Sequence, residues 1–293
     1  MSTITEQEIA SQPEIWARAL ADDAPLDQVL GRRGESVLLL GCGTSAFVAE
    51  SIARLREGAG HGSTRADYAS EWAPTHPYDR VVLISRSGTT SEVLDALERV
   101  PAGTPTAAIV GVADSPLAQR VDHVLCLDYA DESSVVQTRF PTTTLVLARK
   151  HLGDGLDGVV EQAEALLATP SAVDVAPYSH FVFLGRGWAY GLAQESALKI
   201  REAAQAWSES YPALDYRHGP IAVATPDTLV TLLGPYDAAL ADDVEKTGAT
   251  VAWLDSDPLV QLVDCQRRAV SVAHARGLDP DNPRHLTRSV VFS

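Results

Sequence analysis

The stretch SRSGTT at residues 85–90 concentrates hydroxyl side chains in a single loop. It follows the apolar run 81–84 and precedes a helical pattern, so the loop connects a strand to a helix. Short hydroxyl side chains and the free N–H groups of a helix start can surround the three oxygens of a phosphate monoester. The residues spaced to point inward from this loop are Ser85, Ser87 and Thr90.

A second strand-to-helix turn, GCGTSA at residues 41–46, carries Thr44 and Ser45. An ordinary helix cap would explain one such turn, but two of them at successive strand ends favour a phosphate site. The turn also fits a degenerate dinucleotide fingerprint, which requires an acidic residue at the end of the next strand, about 20 residues on. Asp67 is the nearest candidate and follows no clear strand, so we favour phosphate over a nucleotide cofactor.

A third stretch, residues 195–220, carries groups that can move protons. Glu195, Lys199 and Glu202 recur at i, i+4 and i+7, which places them on one face of a helix, and His218 follows in a loop. A solvated ladder of ion pairs is the plain interpretation of that face. The alternative is chemistry on a sugar, in which a carboxylate moves a carbon-bound proton and a histidine serves the ring oxygen.

Apolar runs of strand length alternate with helical patterns along the chain, which predicts parallel sheets covered by helices. The segments 36–57 and 180–202 share the order apolar strand, Gly-x-Gly and helix, and their first glycines stand 144 positions apart. We therefore predict an α/β fold of two tandem, doubly wound, flavodoxin-like subdomains related by internal duplication. The predicted domains are residues 1–152, an N-terminal helix followed by the first subdomain, and residues 153–293, the second subdomain followed by a C-terminal tail.

Composition excludes several classes of partner and cofactor. The 23 basic and 39 acidic residues give a net charge of −16, which argues against nucleic acid and anionic membrane surfaces. Three dispersed cysteines, an N-terminus without a signal peptide and the lack of a long apolar stretch predict a cytoplasmic protein. The histidine spacing predicts no metal, and we expect no cofactor.

Taken together, the motifs resemble the sugar isomerase (SIS) domain proteins. Within them they are most similar to the isomerase half of glucosamine-6-phosphate synthase and to stand-alone amino-sugar-phosphate isomerases and deaminases. The resemblance runs along the whole chain and includes the subdomain order. The stretches that carry it, besides the two hydroxyl turns, are TEQEIASQP (5–13), VQTRFPTTT (136–144), ALKIRE…HGP (197–220) and NPRHLTRSV (282–290).

The resemblance implies roles for individual residues in binding a sugar phosphate. Residues matching the family's phosphate ligands are Ser85, Ser87 and Thr90, and those at the sugar-contact turn are Thr44 and Ser45. Gln137 lies in the segment that closes over the sugar.

It also implies catalytic roles. Glu202 matches the glutamate that shuttles a proton between C1 and C2, and Lys199 and Glu195 match its helix neighbours. His218 matches a ring-opening histidine that the adjacent subunit supplies, which implies a homodimer with shared active sites.

This chain differs from the synthase in three respects. No glutaminase domain is present in the sequence, so we expect no glutamine-dependent synthesis. Arg288 stands in place of a tail lysine that forms a Schiff base, and arginine is a poor imine former that can still stabilise an oxyanion. Arg86 replaces an uncharged polar residue and is expected to add a cation beside the phosphate.

The function predicted from these residues is isomerisation between aldose and ketose, deamination, or both, on a hexose or hexosamine 6-phosphate. Cleavage of amine-linked sugar phosphates by a deglycase is an alternative that the sequence leaves open. A phosphosugar sensor without catalysis is another, but the joint presence of Glu202 and His218 favours an enzyme. A nicotinamide dehydrogenase is the least favoured alternative.

Overall fold

The computed structural model describes residues 2–171 and 173–292 and divides the chain into two units. The first-sheet unit comprises Ser11–Asp157 and Thr287–Ser293, and the second-sheet unit comprises Met1–Ala10 and Gly158–Leu286. The division into residues 1–152 and 153–293 stays a prediction.

Strands in the described residues form two sheets, each parallel throughout. The strands are β1 (Val37–Gly41), β2 (Thr64–Tyr68), β3 (Arg80–Ile84), β4 (Thr106–Val110), β5 (His123–Cys126), β6 (His180–Gly185), β7 (Trp207–Pro212), β8 (Thr228–Leu233) and β9 (Thr250–Ala252).

Helices connect the strands and cover the sheets. The α-helices are α1 (Ile4–Ala10), α2 (Gln12–Ala21), α3 (Leu26–Leu30), α4 (Thr44–Gly58), α5 (Ser91–Arg99), α6 (Arg139–Leu152), α7 (Val159–Leu167), α8 (Ala189–Ala204), α9 (Ala238–Glu245) and α10 (Pro258–Ala275). Three short 3-10 helices span Asp128–Ala130, Ala213–His218 and Pro220–Val223.

The first sheet has the order β2-β1-β3-β4-β5, so β1 and β3 are neighbours although β2 lies between them in sequence. This is the topological switch point of a doubly wound sheet, where the connections leave to opposite sides. Leu40 of β1 pairs with Leu83 of β3. The turn after β1 and the loop after β3 therefore leave the same edge of the sheet side by side.

The second sheet has the order β7-β6-β8-β9, which repeats the first four positions of the first sheet. Its glycine turn after β6 corresponds to the turn after β1, as the internal repeat predicted. The predicted α/β fold with two tandem parallel sheets is confirmed.

Both strands that the sequence patterns missed, β2 and β7, lie at sheet edges. Their sequences, TRADY and WSESYP, are polar and only partly buried, because an edge strand in these sheets is not covered on both faces. The expectation that no strand precedes Asp67 was wrong, since Asp67 lies on β2. Its carboxylate lies 2.6 Å from the guanidinium of Arg65.

Helix α5 is fixed against the first sheet by its apolar side. Val93 and Ala96 are buried in the cluster that contains Leu38 and Leu83. Because the strand before the loop and the helix after it are both anchored in this core, the loop at 85–90 has fixed ends.

Gly88 in this loop has φ +64°, and a Cβ added there would lie 2.2 Å from Ser115 Oγ and 2.4 Å from Ser115 Cβ. Gly88→Ala should therefore combine backbone strain with a steric clash. Gly103, with φ +85° and nothing within 4 Å of an added Cβ, is the matched control. We expect Gly103→Ala to cost about 1–2 kcal/mol of stability through φ alone, and Gly88→Ala to cost about 1–3 kcal/mol more.

Urea unfolding of the two variants measures this difference in the free energy of unfolding. Equal midpoints for both variants would show that the loop relaxes away from Ser115.

Candidate functional site

The loop at residues 85–90, called the hydroxyl loop below, brings together two of its three predicted binding hydroxyls. Ser85 Oγ and Thr90 Oγ1 lie 3.2 Å apart, and the amide of Gly88 donates to Ser85 Oγ over 3.1 Å. Thr90 immediately precedes α5, where free amides and the helix dipole favour a bound anion. The pair therefore offers two adjacent hydroxyls at a helix start, and its contact with phosphate stays a prediction.

The third predicted hydroxyl, Ser87, lies in a triangle of hydroxyls with Thr89 and Ser289. Ser87 Oγ donates to Ser289 Oγ over 3.1 Å, and Thr89 Oγ1 donates to Ser87 Oγ over 3.0 Å. Thr89 Oγ1 and Ser289 Oγ are 2.9 Å apart. Sequence reasoning did not assign Thr89 or Ser289 to the site, because nothing in their local sequence indicates a contact across 200 positions.

Residues 287–292, called the tail segment below, run past the start of α5. The amide of Ser91 donates to the carbonyl of Val290 over 3.1 Å. The amide of Phe292 donates to Ser91 Oγ over 2.9 Å. The tail segment thus occupies one of the free donors at this helix start.

Arg86 donates hydrogen bonds to backbone carbonyls of two segments that are distant from the hydroxyl loop in sequence. Its side chain is buried, with 2% of the residue exposed. One terminal nitrogen donates to the carbonyl of Ser134 over 2.7 Å and the other to the carbonyl of Arg288 over 2.9 Å. The contact of Arg86 with phosphate stays a prediction, and the contacts described here join three separate segments of the unit.

Arg288 directs its guanidinium at Asp131. Its Nη2 lies 2.6 Å from Asp131 Oδ1 and 2.5 Å from Asp131 Oδ2, and its Nε donates to the carbonyl of Glu132 over 3.0 Å. The predicted catalytic role of Arg288 is untested by these contacts. Asp131 is a third residue that the sequence did not single out.

The turn after β1 places Thr44 and Ser45 at the start of α4, where both are buried. Gly41 allows this close approach, because a Cβ there would lie 2.6 Å from the backbone carbon of Ser45. Burial, reinforced by the nearby carboxylate of Glu92, raises the pKa of the Cys42 thiol to about 11. Cys42 is therefore a neutral thiol at physiological pH and not an activated nucleophile.

Gln137 precedes α6 in the segment expected to close over the sugar. Its Oε1 is buried and accepts no hydrogen bond from the residues that the structure describes. A buried amide oxygen without a donor is costly, and a ligand hydroxyl is one group that could supply the donor.

In the second-sheet unit, Glu195, Lys199 and Glu202 meet on one face of α8, called the charged face below. Lys199 Nζ lies 3.2 Å from Glu195 Oε1 and 2.5 Å from Glu202 Oε2. The side chains of Lys199 and Glu195 are 1% and 2% exposed, whereas that of Glu202 is 18% exposed. The face is therefore a buried ion triad and not a solvated ladder, and Glu202 is its most accessible member.

Two opposing effects act on the ammonium of Lys199. Burial lowers its pKa, but the carboxylates of Glu195 and Glu202 outweigh burial and raise the pKa above the ordinary value of 10.5. Lys199 is thus a permanent cation that offsets the charge of one of its two carboxylate neighbours.

Glu202 lies near the end of α8, about 20 Å along the helix from Ala189 by the rise per residue. The turn at Gly185 and Gly187 precedes the other end of the helix. Glu202 is consequently distant from the carboxyl end of β6, where that turn begins.

His218 ends the 3-10 helix Ala213–His218 and is exposed. Tyr216 of the same helix is fully buried and anchors it. Gly219 follows with φ +145°, a backbone conformation that favours glycine. The imidazole makes no hydrogen bond or ion pair with the residues described, so it is open to a ligand or to another chain.

Within residues 2–171 and 173–292, no group of three or more histidine, cysteine, aspartate or glutamate side chains is arranged to hold a metal ion. Among the same residues, no helix has both the length and the apolar character needed to cross a bilayer.

Comparison with known proteins finds a family match and similar whole chains. Residues 32–149 match the SIS domain. The chain is 30% identical to the glutamine–fructose-6-phosphate aminotransferase (isomerizing) of Xylella fastidiosa, over 98% of this chain and 58% of that protein. It therefore spans somewhat more than half the length of that relative.

Two solved structures are similar over nearly the whole chain. Glucosamine-6-phosphate deaminase from Thermotoga maritima has a TM-score of 0.87 at 28% identity, covering 99% of this chain and 100% of that one. Tagatose-6-phosphate ketose/aldose isomerase from Escherichia coli has a TM-score of 0.79 at 22% identity, covering 100% and 96%. The second likeness shows the fold alone.

The charged face gives a prediction for stability. Lys199→Met leaves Glu195 as a buried carboxylate without its cation, which we expect to cost about 3–5 kcal/mol at pH 7. The deficit should shrink as the pH falls towards 5, because an unpaired buried carboxylate has a raised pKa and takes up a proton. In the wild type, the stabilisation by Lys199 is complete below pH 10.5 and is lost only as the pH rises through the raised folded value.

Urea unfolding at pH 5, 7 and 8.5 checks this prediction. Lys246→Met is the control, because Lys246 is 73% exposed in its own i,i+3 pair with Asp243 and should show little change. A Lys199→Met deficit that does not vary with pH would mean that Glu195 keeps its charge in the folded variant and that its pKa is not raised.

Proposed function

The chain belongs to the SIS domain family, a family of phosphosugar isomerases and deaminases, and we propose that it is an enzyme acting on a hexose or hexosamine 6-phosphate by proton transfer between C1 and C2. The observation that carries this proposal is the charged face of α8, where a buried cation and a buried carboxylate hold the partly exposed Glu202. We assign proton transfer to the second-sheet unit and phosphate binding to the first-sheet unit.

Phosphate binding is supported by the hydroxyl turns that leave β1 and β3 side by side. Ser85, Thr90 and the start of α5 offer hydroxyl and amide donors to phosphate oxygens, and Thr44 and Ser45 offer further hydroxyls at the neighbouring turn. Neutral donors are sufficient here, because a phosphate dianion forms strong charge-assisted hydrogen bonds with them.

In the proposed reaction, Glu202 acts as the base on the open-chain sugar. Its carboxylate removes the proton from C1 or C2, and the electrons of that C–H bond form the double bond of an enediol or enolamine as the carbonyl oxygen takes up a proton. Glu202 then delivers a proton, the original one or one exchanged with solvent, to the other carbon, while the hydroxyl or amino group on the first carbon loses its proton. For an aldose this yields the ketose. For a 2-amino sugar the same transfer yields an imine at C2, and addition of water there releases ammonia and leaves the ketose.

Similarity to the deaminase favours the amino sugar as substrate, because that likeness covers both chains from end to end at 28% identity. Simple aldose–ketose isomerisation needs the same residues and is the second candidate. Deglycase activity and a sensor without catalysis stay alternatives, and independence from glutamine stays a prediction. Incubation with a panel of sugar 6-phosphates, with and without glutamine, while ammonia and ketose are both measured, separates these activities.

We propose that His218 opens the sugar ring. In a homodimer, each copy would supply this histidine to the active site of the other copy. Support comes from the exposure of His218 and of the flanking apolar side chains Leu214 and Val223, which are 43% and 56% exposed. Exposed apolar surface around a histidine without a partner suits an interface between copies.

Mixing inactive variants tests this arrangement. Glu202→Gln and His218→Ala dimers, unfolded and refolded together, should regain up to about a quarter of the wild-type activity, because half of the dimers are mixed and each has one intact site. Mixtures that stay inactive, with mixed dimers demonstrated by differential tagging, would place Glu202 and His218 in the same chain's site.

Glu202→Gln tests the base itself. We expect product formation to fall by about 10²–10⁴-fold with little change in the affinity for the sugar phosphate, because the amide keeps the shape and loses the base. Glu161→Gln, an exposed glutamate on α7, is the control and should retain wild-type turnover. Turnover of Glu202→Gln within twofold of wild type would remove the assignment.

A further inference from the structure

The tail segment contributes the hydroxyl of Ser289 to the hydroxyl loop. We propose that Ser289 is a positioning residue for phosphate binding, because it fixes the direction in which Ser87 donates its hydroxyl proton. This inference rests on the proposed phosphate binding by the hydroxyl loop and adds to it a residue from the far end of the chain.

Proton counting in the hydroxyl triangle gives the reason. Each of Ser87, Thr89 and Ser289 has one hydroxyl proton, and the three oxygens lie 2.9–3.1 Å apart. In the closed ring, Ser87 donates to Ser289, Ser289 to Thr89, and Thr89 to Ser87. All three protons are then used inside the ring.

A phosphate oxygen that accepts from Ser87 opens this ring at one bond. The order then becomes Ser289 to Thr89, Thr89 to Ser87, and Ser87 to the phosphate, so two of the three internal bonds persist. Each donor in such a chain polarises the next and strengthens the final bond. Ser289 begins the chain and so acts on phosphate through Thr89 and Ser87.

Ser289 is held in place by its neighbours in the tail segment. The buried guanidinium of Arg86 binds the carbonyl of Arg288, and the side chain of Arg288 forms an ion pair with Asp131. On the other side, the carbonyl of Val290 accepts from Ser91. The residues before and after Ser289 are therefore both fixed, and the proposed role of Arg86 is to anchor the tail.

Ser289→Ala removes the first donor of the chain and lets the Thr89 and Ser87 hydroxyls rotate. We expect the Kd for fructose 6-phosphate and for inorganic phosphate to rise about three- to tenfold, the equivalent of one neutral hydrogen bond. KM should rise to the same extent, with kcat within about twofold, because the change affects phosphate binding and not the reacting carbons. Ser289→Thr keeps the hydroxyl and should restore the affinity.

Thr287→Ala is the matched control in the same segment. Thr287 Oγ1 donates to the carbonyl of Ser289 over 2.8 Å and so bonds within the tail segment. Its removal should leave the Kd unchanged. Asp131→Asn weakens the ion pair that holds the tail and should also raise the Kd, with faster hydrogen exchange at the amides of Ser91 and Phe292.

The outcomes separate this inference from the proposed function. If Ser87→Ala weakens binding while Ser289→Ala and Asp131→Asn leave the Kd unchanged, the tail inference is wrong and the phosphate site stands. Tighter binding by Ser289→Ala would show that the tail competes with phosphate, which also overturns the inference. If the wild type binds neither probe, or if Ser87→Ala binds as the wild type does, the phosphate site and the tail inference both fail.

Discussion

The ion triad on α8 is the interaction on which the proposed chemistry depends. Lys199 is buried between Glu195 and Glu202, and two carboxylates and one ammonium leave the group with one net negative charge. Replacing such a group with apolar residues often stabilises a protein, so its presence in a buried position points to function. Glu202 is the member with access to solvent, and it is also the member able to exchange a proton with a ligand.

The proposed phosphate binding depends on a different physical constraint, the adjacency of β1 and β3. Parallel strands that are neighbours in space but separated in sequence bring two hydroxyl turns to one edge of the sheet. The tail segment adds a further hydroxyl, that of Ser289, to the hydroxyl loop. Arg86 and the Asp131–Arg288 ion pair hold the tail segment beside that loop. The sequence predicted that Arg86 would lie beside the phosphate. In the structure, its guanidinium donates hydrogen bonds to the carbonyls of Ser134 and Arg288.

Central strands and amphipathic helices could be predicted from sequence, because burial on both faces leaves a continuous apolar run and burial on one face leaves a helical period. The tandem order of the sheets followed from the repeated glycine turns. Edge strands β2 and β7 escaped prediction, since partial exposure allows polar residues there.

Within the site, the spacing of Glu195, Lys199 and Glu202 predicted a shared face but could not predict its burial, which depends on what surrounds the helix. Contacts between distant positions were beyond sequence reasoning altogether. Arg86 and Arg288 stand 202 positions apart, and no local pattern indicates that one binds the carbonyl of the other. The same holds for Ser289, whose hydroxyl contacts the hydroxyls of Ser87 and Thr89, which stand 202 and 200 positions earlier in the chain.

The central claim is that the enzyme moves a carbon-bound proton of a sugar 6-phosphate through Glu202. The most direct measurement is proton NMR of glucosamine 6-phosphate and fructose 6-phosphate incubated with the wild-type protein in D₂O. A carboxylate base partly exposed to solvent exchanges its proton, so the account predicts deuterium at C1 or C2 of the substrate or product, and none with Glu202→Gln. Deuterium incorporation by Glu202→Gln at the wild-type level would contradict proton transfer through Glu202.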